Sequence, residues 1–130
     1  MAEKEESIVN RVERMGVLTI DLEEFYPEGE RVFYDLKKDL WQELALKEKD
    51  FRQHIQTYDW SEFKDKYVAV GCSVDAIIPT WAYMLLASAL KEHAKRVVFG
   101  NLDYLNSLLY QEAIASIDIE DYRNRRVVIK

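Results

Sequence analysis

The chain has 130 residues, 48% of them hydrophobic and 32% charged, which is ordinary for one folded domain with a hydrophobic core. Its formal net charge of −6 disfavours nucleic acids and acidic membranes as partners, because both present negative phosphates. A single cysteine excludes an internal disulfide and any CxxC site. The N-terminus lacks the features of a secretory signal and no apolar run has bilayer length, so we expect a cytoplasmic protein.

The first 58 residues predict a mixed α+β segment. Residues 1–15 predict a charged helix that ends at Gly16, because glycine is common just past a helix. Two short β-branched runs then predict strands at Val17–Ile20 and Arg31–Tyr34, with an acidic loop between them. The pattern from residue 35 onward is ambiguous, since its apolar spacing suits helix and strand alike.

Helices and strands alternate in the rest of the chain. Phe51 and Ile55, at i and i+4, favour a helix over Lys47–Gln56. The later elements are predicted in this order: strand Tyr67–Gly71, helix Pro79–His93, strand Arg96–Gly100, helix Leu102–Ser116 and strand Arg126–Ile129. Apolar strands alternating with helices form βαβ units with parallel strands. We therefore predict a single α/β domain, in which residues 59–130 form a mostly parallel βαβαβ core with three neighbouring strands and residues 1–58 precede it.

Two stretches of the second half resemble each other. Residues 59–70 and 118–129 match aromatic to aromatic and base to base, and each ends in an apolar run. The first copy continues into Gly71 and a long helix, whereas the second reaches Lys130, so the second unit is expected to be truncated. The spacing suits one supersecondary repeat, although polar stretches that lead into strands also resemble one another by chance.

The segment from Gly71 to Asp75 is the sharpest candidate site. It follows a predicted parallel strand and precedes a helix, and ligands of open α/β sheets bind at that edge beside helix N-termini. Gly71 permits close backbone approach, Ser73 and Asp75 add polar groups, and a thiolate at Cys72 would serve as nucleophile or metal ligand. The alternative is that Cys72 only packs, since free cysteines are often buried and no histidine lies nearby in the sequence.

The run from Trp81 to Leu90 is apolar almost all the way round. Such a helix has to be covered on more than one side. One interpretation is a subunit interface formed by Trp81, Tyr83, Met84 and Leu85, which predicts a homo-oligomer. The other is a central helix within its own domain.

The remaining polar residues predict no metal, cofactor or catalytic site. The acidic loop over residues 21–30 offers oxygen ligands, but its spacing matches no calcium loop, so we expect it to be solvated. His54 and His93 lack an i, i+4 partner and are interpreted as surface or capping residues. If any residue is catalytic, it is Cys72.

Four stretches resemble an uncharacterised bacterial family known as domain of unknown function 2480. They are Glu28–Val32, Leu46–Arg52, Asp65–Ala69 and Ile78–Leu85. The resemblance covers nearly the whole chain but implies no established activity. It implies that relatives continue beyond the position of Lys130 into a second Gly-Cys-Ser segment, and that they are encoded near the machinery of iron–sulfur cluster assembly. That context draws attention to Cys72, since thiolates bind iron and a dimer would pool two of them.

Three hypotheses remain open from the sequence. The first is a non-catalytic accessory or interaction protein, self-associating, with a protein partner and a link to iron–sulfur assembly. The second is a thiol-dependent sulfur-transfer protein or enzyme that uses Cys72. The third is a small-anion binding module at Gly71–Asp75, with the cysteine structural.

Overall fold

The computed structural model describes residues 16–130, so the helix predicted over residues 1–15 lies outside the described residues. The described residues form five strands: β1 (Leu18–Ile20), β2 (Arg31–Asp35), β3 (Tyr67–Gly71), β4 (Arg96–Phe99) and β5 (Val127–Ile129). The α-helices of this range are α1 (Glu48–Thr57), α2 (Thr80–Lys91) and α3 (Leu102–Ala115). Short 3-10 helices cover Leu22–Phe25, Leu36–Asp39, Trp60–Phe63 and Ile119–Tyr122. The predicted α/β class is confirmed, and none of these helices is long and apolar enough to cross a membrane.

Residues 28–108 form one compact unit around a three-stranded parallel sheet of order β2-β3-β4. Phe33 of β2 lies opposite Ala69 of β3, which lies opposite Val98 of β4. The central strand β3 buries Val68, Ala69 and Val70 in succession. This explains the continuous apolar run in its sequence, because a central parallel strand is covered on both faces.

One face of this sheet packs against α2. Ala82, Leu86 and Leu90 are spaced four residues apart and are each 0% exposed. They share a core cluster with two residues of β3 and with side chains from the preceding elements, namely Val68, Val70, Tyr34, Leu36, Phe51, Trp60 and Phe63. The apolar character of α2 is thus explained largely within its own unit.

Residues 109–130, with the described residues before Glu28, form a second compact unit. Its sheet has two parallel strands, β1 and β5, with Leu18 opposite Val127 and Ile20 opposite Ile129. The prediction that Arg126–Ile129 lies beside the strands at residues 67–71 and 96–100 is therefore wrong. The N-terminal segment instead supplies β2 to the larger sheet and β1 as the partner of β5. The single-domain assignment stays a prediction.

The two similar stretches adopt the same local structure. Asp59 and Asp118 each cap a 3-10 helix, accepting hydrogen bonds from the amides of Ser61 at 3.1 Å and Glu120 at 3.0 Å. Six residues after each cap, at Asp65 and Asn124, φ is +60° and +59°. Each copy then enters a strand, which pairs with an earlier strand that is itself followed by an Asp-capped 3-10 helix.

The likeness of the two stretches extends to the pairing of their strands. Each copy pairs with its own earlier strand, β3 with β2 and β5 with β1, so β5 does not extend the sheet of its neighbours in sequence. Both pairings are non-local and parallel, which a composition pattern does not encode. Origin of the two copies by duplication stays a prediction.

Candidate functional site

A cavity of about 460 Å³ opens at the carboxyl ends of β3 and β4. Parallel strands place their carboxyl ends at one edge, where ligands of open α/β sheets bind. The wall comprises residues from strand ends, from the start of α2 and from the residues before α3: Phe33, Val70, Gly71, Cys72, Thr80, Tyr83, Met84, Phe99, Gly100 and Asn101. All of them belong to the unit of residues 28–108.

The wall of this cavity is mostly aromatic and aliphatic. The rings of Tyr83 and Phe99 meet edge to face, with centroids 5.4 Å apart. Phe33 and Met84 contribute further apolar surface, and both are solvent-exposed. Burial raises the pKa of Tyr83, and the nearby Cys72 adds to the rise, so the phenol is neutral at ordinary pH. The cavity therefore suits an apolar or ring-bearing group.

Two glycines let the strand ends approach each other and the aromatic rings. A Cβ at Gly71 would lie 3.0 Å from Cε2 of Phe33 and 3.3 Å from the carbonyl oxygen of Gly100. Gly100 has a φ of +148°, which other residues rarely adopt, and a Cβ there would lie 2.9 Å from a ring carbon of Tyr104. Side chains at these positions would fill or distort the wall.

Two helices begin at the cavity. Asn101 caps α3, because its Oδ1 accepts a hydrogen bond from the amide of Tyr104 at 2.8 Å. The helix α2 begins at Thr80, after Pro79, without a side-chain cap. Helix N-termini carry partial positive charge, so this end of the cavity favours a polar or negative group.

The segment that follows β3 is tied to the end of β2 by Asp35. Its Oδ1 accepts hydrogen bonds from the amides of Lys37 at 3.0 Å and Ser73 at 3.1 Å. Its Oδ2 accepts a hydrogen bond from Oγ of Ser73 at 2.6 Å. Partial burial acts to raise the pKa of Asp35, but these hydrogen bonds outweigh it and hold the pKa below the ordinary value for an aspartate.

The lowered pKa of Asp35 predicts a pH dependence of stability. A carboxyl whose pKa is lower in the folded state contributes stability that is present above its unfolded pKa of about 3.9 and is lost as pH falls through the folded pKa. Between about pH 5 and pH 3, wild type is therefore expected to lose more stability than Asp35→Asn. Urea denaturation at several pH values measures this difference, and parallel curves for the two proteins would contradict it.

The structure brings part of the predicted site together. Gly71 and Cys72 line the cavity, whereas Ser73 binds Asp35 and Asp75 is exposed outside the wall. Cys72 is partly buried. Sequence reasoning missed Asp35, although an aspartate at the end of a strand signals a cap of the kind seen here.

Of the four residues predicted to form an interface, two line the cavity and two pack against the core of their own unit. Tyr83 and Met84 line the cavity, and Met84 is 63% exposed. Trp81 meets the ring of Phe51 edge to face at 6.0 Å, and Leu85 packs partly buried against the core cluster. The aromatic wall residues Phe33 and Phe99, together with Thr80 and Asn101, were not predicted, because each comes from a separate element.

The two histidines lie away from the cavity wall. His54 is one-third exposed within an aromatic cluster, with Nε2 3.4 Å from the hydroxyl oxygen of Tyr34 and 3.5 Å from Oδ1 of Asp39. The carbonyl of His93 accepts a hydrogen bond from the amide of Asp65 at 3.2 Å. Within residues 16–130 no group of three or more histidine, cysteine or acidic side chains is placed to hold a metal ion.

One family matches this chain over residues 6–130, and its description is protein of unknown function (DUF2480). The chain belongs to the DUF2480 family. Comparison with curated proteins gave no match, and comparison with solved structures gave none. Membership in DUF2480 confirms the resemblance seen in the sequence and leaves the function to be argued from the cavity.

Proposed function

We propose that this DUF2480 chain is a non-catalytic binding module that takes a small, largely apolar molecule in the cavity at the ends of β3 and β4. The aromatic wall carries this proposal. Phe33, Phe99 and Met84 are 37%, 51% and 63% exposed around the opening. Keeping such side chains in water forgoes about 25 cal/mol for each Å² left uncovered, and clustered exposed apolar side chains mark binding sites.

The size of the cavity supports the same proposal. Small-molecule sites are commonly about 300–1,000 Å³ and mostly apolar with a few polar groups. The cavity, at about 460 Å³, falls in that range, and its polar groups include Thr80 and Asn101. A fitting ligand has an apolar or aromatic body and one polar or negative end directed toward the starts of α2 and α3.

The other two hypotheses draw less support from this geometry. A small inorganic anion would face the apolar rings of Phe33 and Phe99, which offer it no hydrogen bonds, and few polar groups remain in the wall to bind it. A reactive thiolate at Cys72 needs a base or a positive neighbour, and the wall as described contains no histidine, lysine, arginine or carboxylate. The proposal restricts the hypothesis of a non-catalytic interaction protein to one that binds a small ligand. Four properties stay predictions: self-association, a protein partner, a cytoplasmic location and a link to iron–sulfur assembly.

Titration with anilinonaphthalene sulfonate tests the proposal, because this dye joins an aromatic body to a negative group. The folded protein is expected to bind it saturably, and Phe99→Ser is expected to weaken binding about tenfold, through loss of an aromatic contact and apolar area worth about 1.4 kcal/mol. Leu44→Ser is the matched control, since Leu44 is 62% exposed and lies outside the wall. Equal affinities of all three proteins would overturn the proposal.

A parallel titration with inorganic phosphate distinguishes the proposed apolar-ligand site from the small-anion module. Amide chemical shifts of Gly71, Cys72 and Asn101 are expected to respond to the dye and to show little response to phosphate. Saturable shifts with phosphate, and none with the dye, would favour the small-anion module instead.

A further inference from the structure

We propose that Asp35 is a positioning residue, which fixes the Cys72 wall of the cavity by holding Ser73. This inference rests on the proposed binding function, because it assigns to Asp35 the shape of that same cavity. Asp35 itself does not line the cavity. It acts through the backbone of the residue that follows Cys72.

The geometry of the contact is specific to this role. Asp35 ends β2, and Ser73 lies two residues beyond the end of β3. The carboxylate accepts from both the amide and the hydroxyl of Ser73, at 3.1 and 2.6 Å, across a sequence separation of 38 residues. Gly71 is directly opposite Asp35 in the β2–β3 register, so Cys72 is the one residue between the end of the ladder and the anchored Ser73. Its backbone is held on both sides.

Asp35 adds to the other restraints on this loop, which are the partial burial of Cys72 and Ile78 against the core cluster and a backbone bridge between Ile77 and Ala45. Ser73 and Asp75 are exposed, and Ile77 is 89% exposed. A segment with few buried contacts opens locally at low cost unless hydrogen bonds restrain it. Hydrogen bonds to an ionised carboxylate are stronger than neutral ones, so Asp35 restrains the loop at Ser73, an exposed residue that burial does not hold.

A similar contact between an aspartate and a serine occurs at residues that do not line the cavity. It provides a matched control. Oδ1 of Asp59 accepts from the amide of Ser61 at 3.1 Å and from its hydroxyl at 2.6 Å. That pair is local, two residues apart, and neither residue lines the cavity. Asp59→Asn, which removes the charge of the acceptor, and Ser61→Ala, which removes the hydroxyl donor, therefore make the same chemical changes at a contact that does not hold the Cys72 wall.

The chain's single cysteine makes the test direct. The rate of Cys72 alkylation by iodoacetamide is measured on the folded, ligand-free protein at one pH. Asp35→Asn and Ser73→Ala are expected to raise the rate about three- to tenfold, because loss of a charge-assisted hydrogen bond increases local opening. Ser73→Thr, which keeps both donors, is expected to restore a rate near that of wild type, and the Asp59 and Ser61 variants are expected to leave it unchanged.

The double variant gives a further check. Since Asp35→Asn and Ser73→Ala both weaken the contact between residues 35 and 73, their combined effect on the alkylation rate is expected to be smaller than the sum of the two single effects. Unchanged rates in both single variants, or equal increases in the Asp59 and Ser61 controls, would overturn the role of Asp35. Thermal melts confirm that each variant is folded at the assay temperature, and Ser73→Ala decides the outcome if Asp35→Asn does not fold.

Dye titration of the same proteins separates this inference from the proposed function. Asp35→Asn is expected to weaken dye binding about threefold or more, in parallel with its faster alkylation. Alkylation that depends on Asp35 in a protein that binds no dye would overturn the binding function while supporting the anchor. Dye binding by wild type with alkylation independent of Asp35 would overturn the anchor alone.

Discussion

Leu86→Ala is expected to lower the free energy of unfolding by about 2–5 kcal/mol, the usual cost of truncating a buried leucine. Leu86 is 0% exposed and lies in the middle of the buried stripe of α2, between Ala82 and Leu90. Truncation removes apolar burial and leaves a cavity beside the central strand. Urea denaturation followed by circular dichroism at pH 7 measures the loss.

Met84→Ala is the matched control on the same helix. Met84 is 63% exposed, so its truncation is expected to change the free energy of unfolding by about 0.5 kcal/mol or less. Because Met84 lines the cavity, the same variant is expected to weaken dye binding. Equal destabilisation by both variants would contradict the packing of α2 described above.

Tyr34→Phe is expected to cost about 1.5–3 kcal/mol of stability, the range for hydrogen bonds to charged groups. Tyr34 is 1% exposed, and its hydroxyl donates to Oδ2 of Asp39 at 2.7 Å. The Asp39 side chain is 9% exposed, so the variant leaves a nearly buried carboxylate without this donor. Burial, followed by the contact with Asp39, raises the pKa of Tyr34 well above its usual range, so the phenol stays protonated at ordinary pH and the bond persists.

Tyr58→Phe tests whether burial causes this cost. The Tyr58 hydroxyl donates to Oε1 of Glu62 in an exposed contact, and this bond, with a smaller contribution from burial, raises the pKa of Tyr58 to about 12. Because water can replace the lost partner, the variant is expected to cost less than about 1 kcal/mol. Urea midpoints for both variants at pH 7 decide the comparison, and a larger loss in Tyr58→Phe would contradict it.

Much of the local structure follows directly from the sequence. The apolar run at Tyr67–Gly71 has the predicted bounds, and α2 and α3 begin within a residue of their predicted starts. Gly71 ends this strand, and the ring of Phe33 lies close to its backbone. These elements can be predicted from the sequence because the spacing of apolar residues and the positions of turn residues are local properties of the chain.

Only part of the cavity wall could be predicted from the sequence, because its residues come from elements that are far apart in the chain. Gly71 and Cys72 were named as site residues because they lie at and just beyond the end of a recognisable strand, and Tyr83 and Met84 were named for a different role. Phe33 comes from β2, which the sequence assigned to a separate N-terminal segment. Its place in the wall depends on the parallel pairing of β2 with β3, a contact between residues far apart in the chain.

The amino-acid sequence by itself determined the α/β class, the succession of helices and strands from residue 47 onward, and the family. Tertiary structure alone decided that β5 pairs with β1, that β2 borders β3, and that Asp35 anchors Ser73. The physical reason is that strand pairing and cross-strand hydrogen bonds join segments that are far apart in the chain. The local pattern of a segment indicates that it is a strand but does not specify its partner. The pairing of β2 with β3 is the long-range contact on which the cavity depends, because it brings Phe33 to the wall.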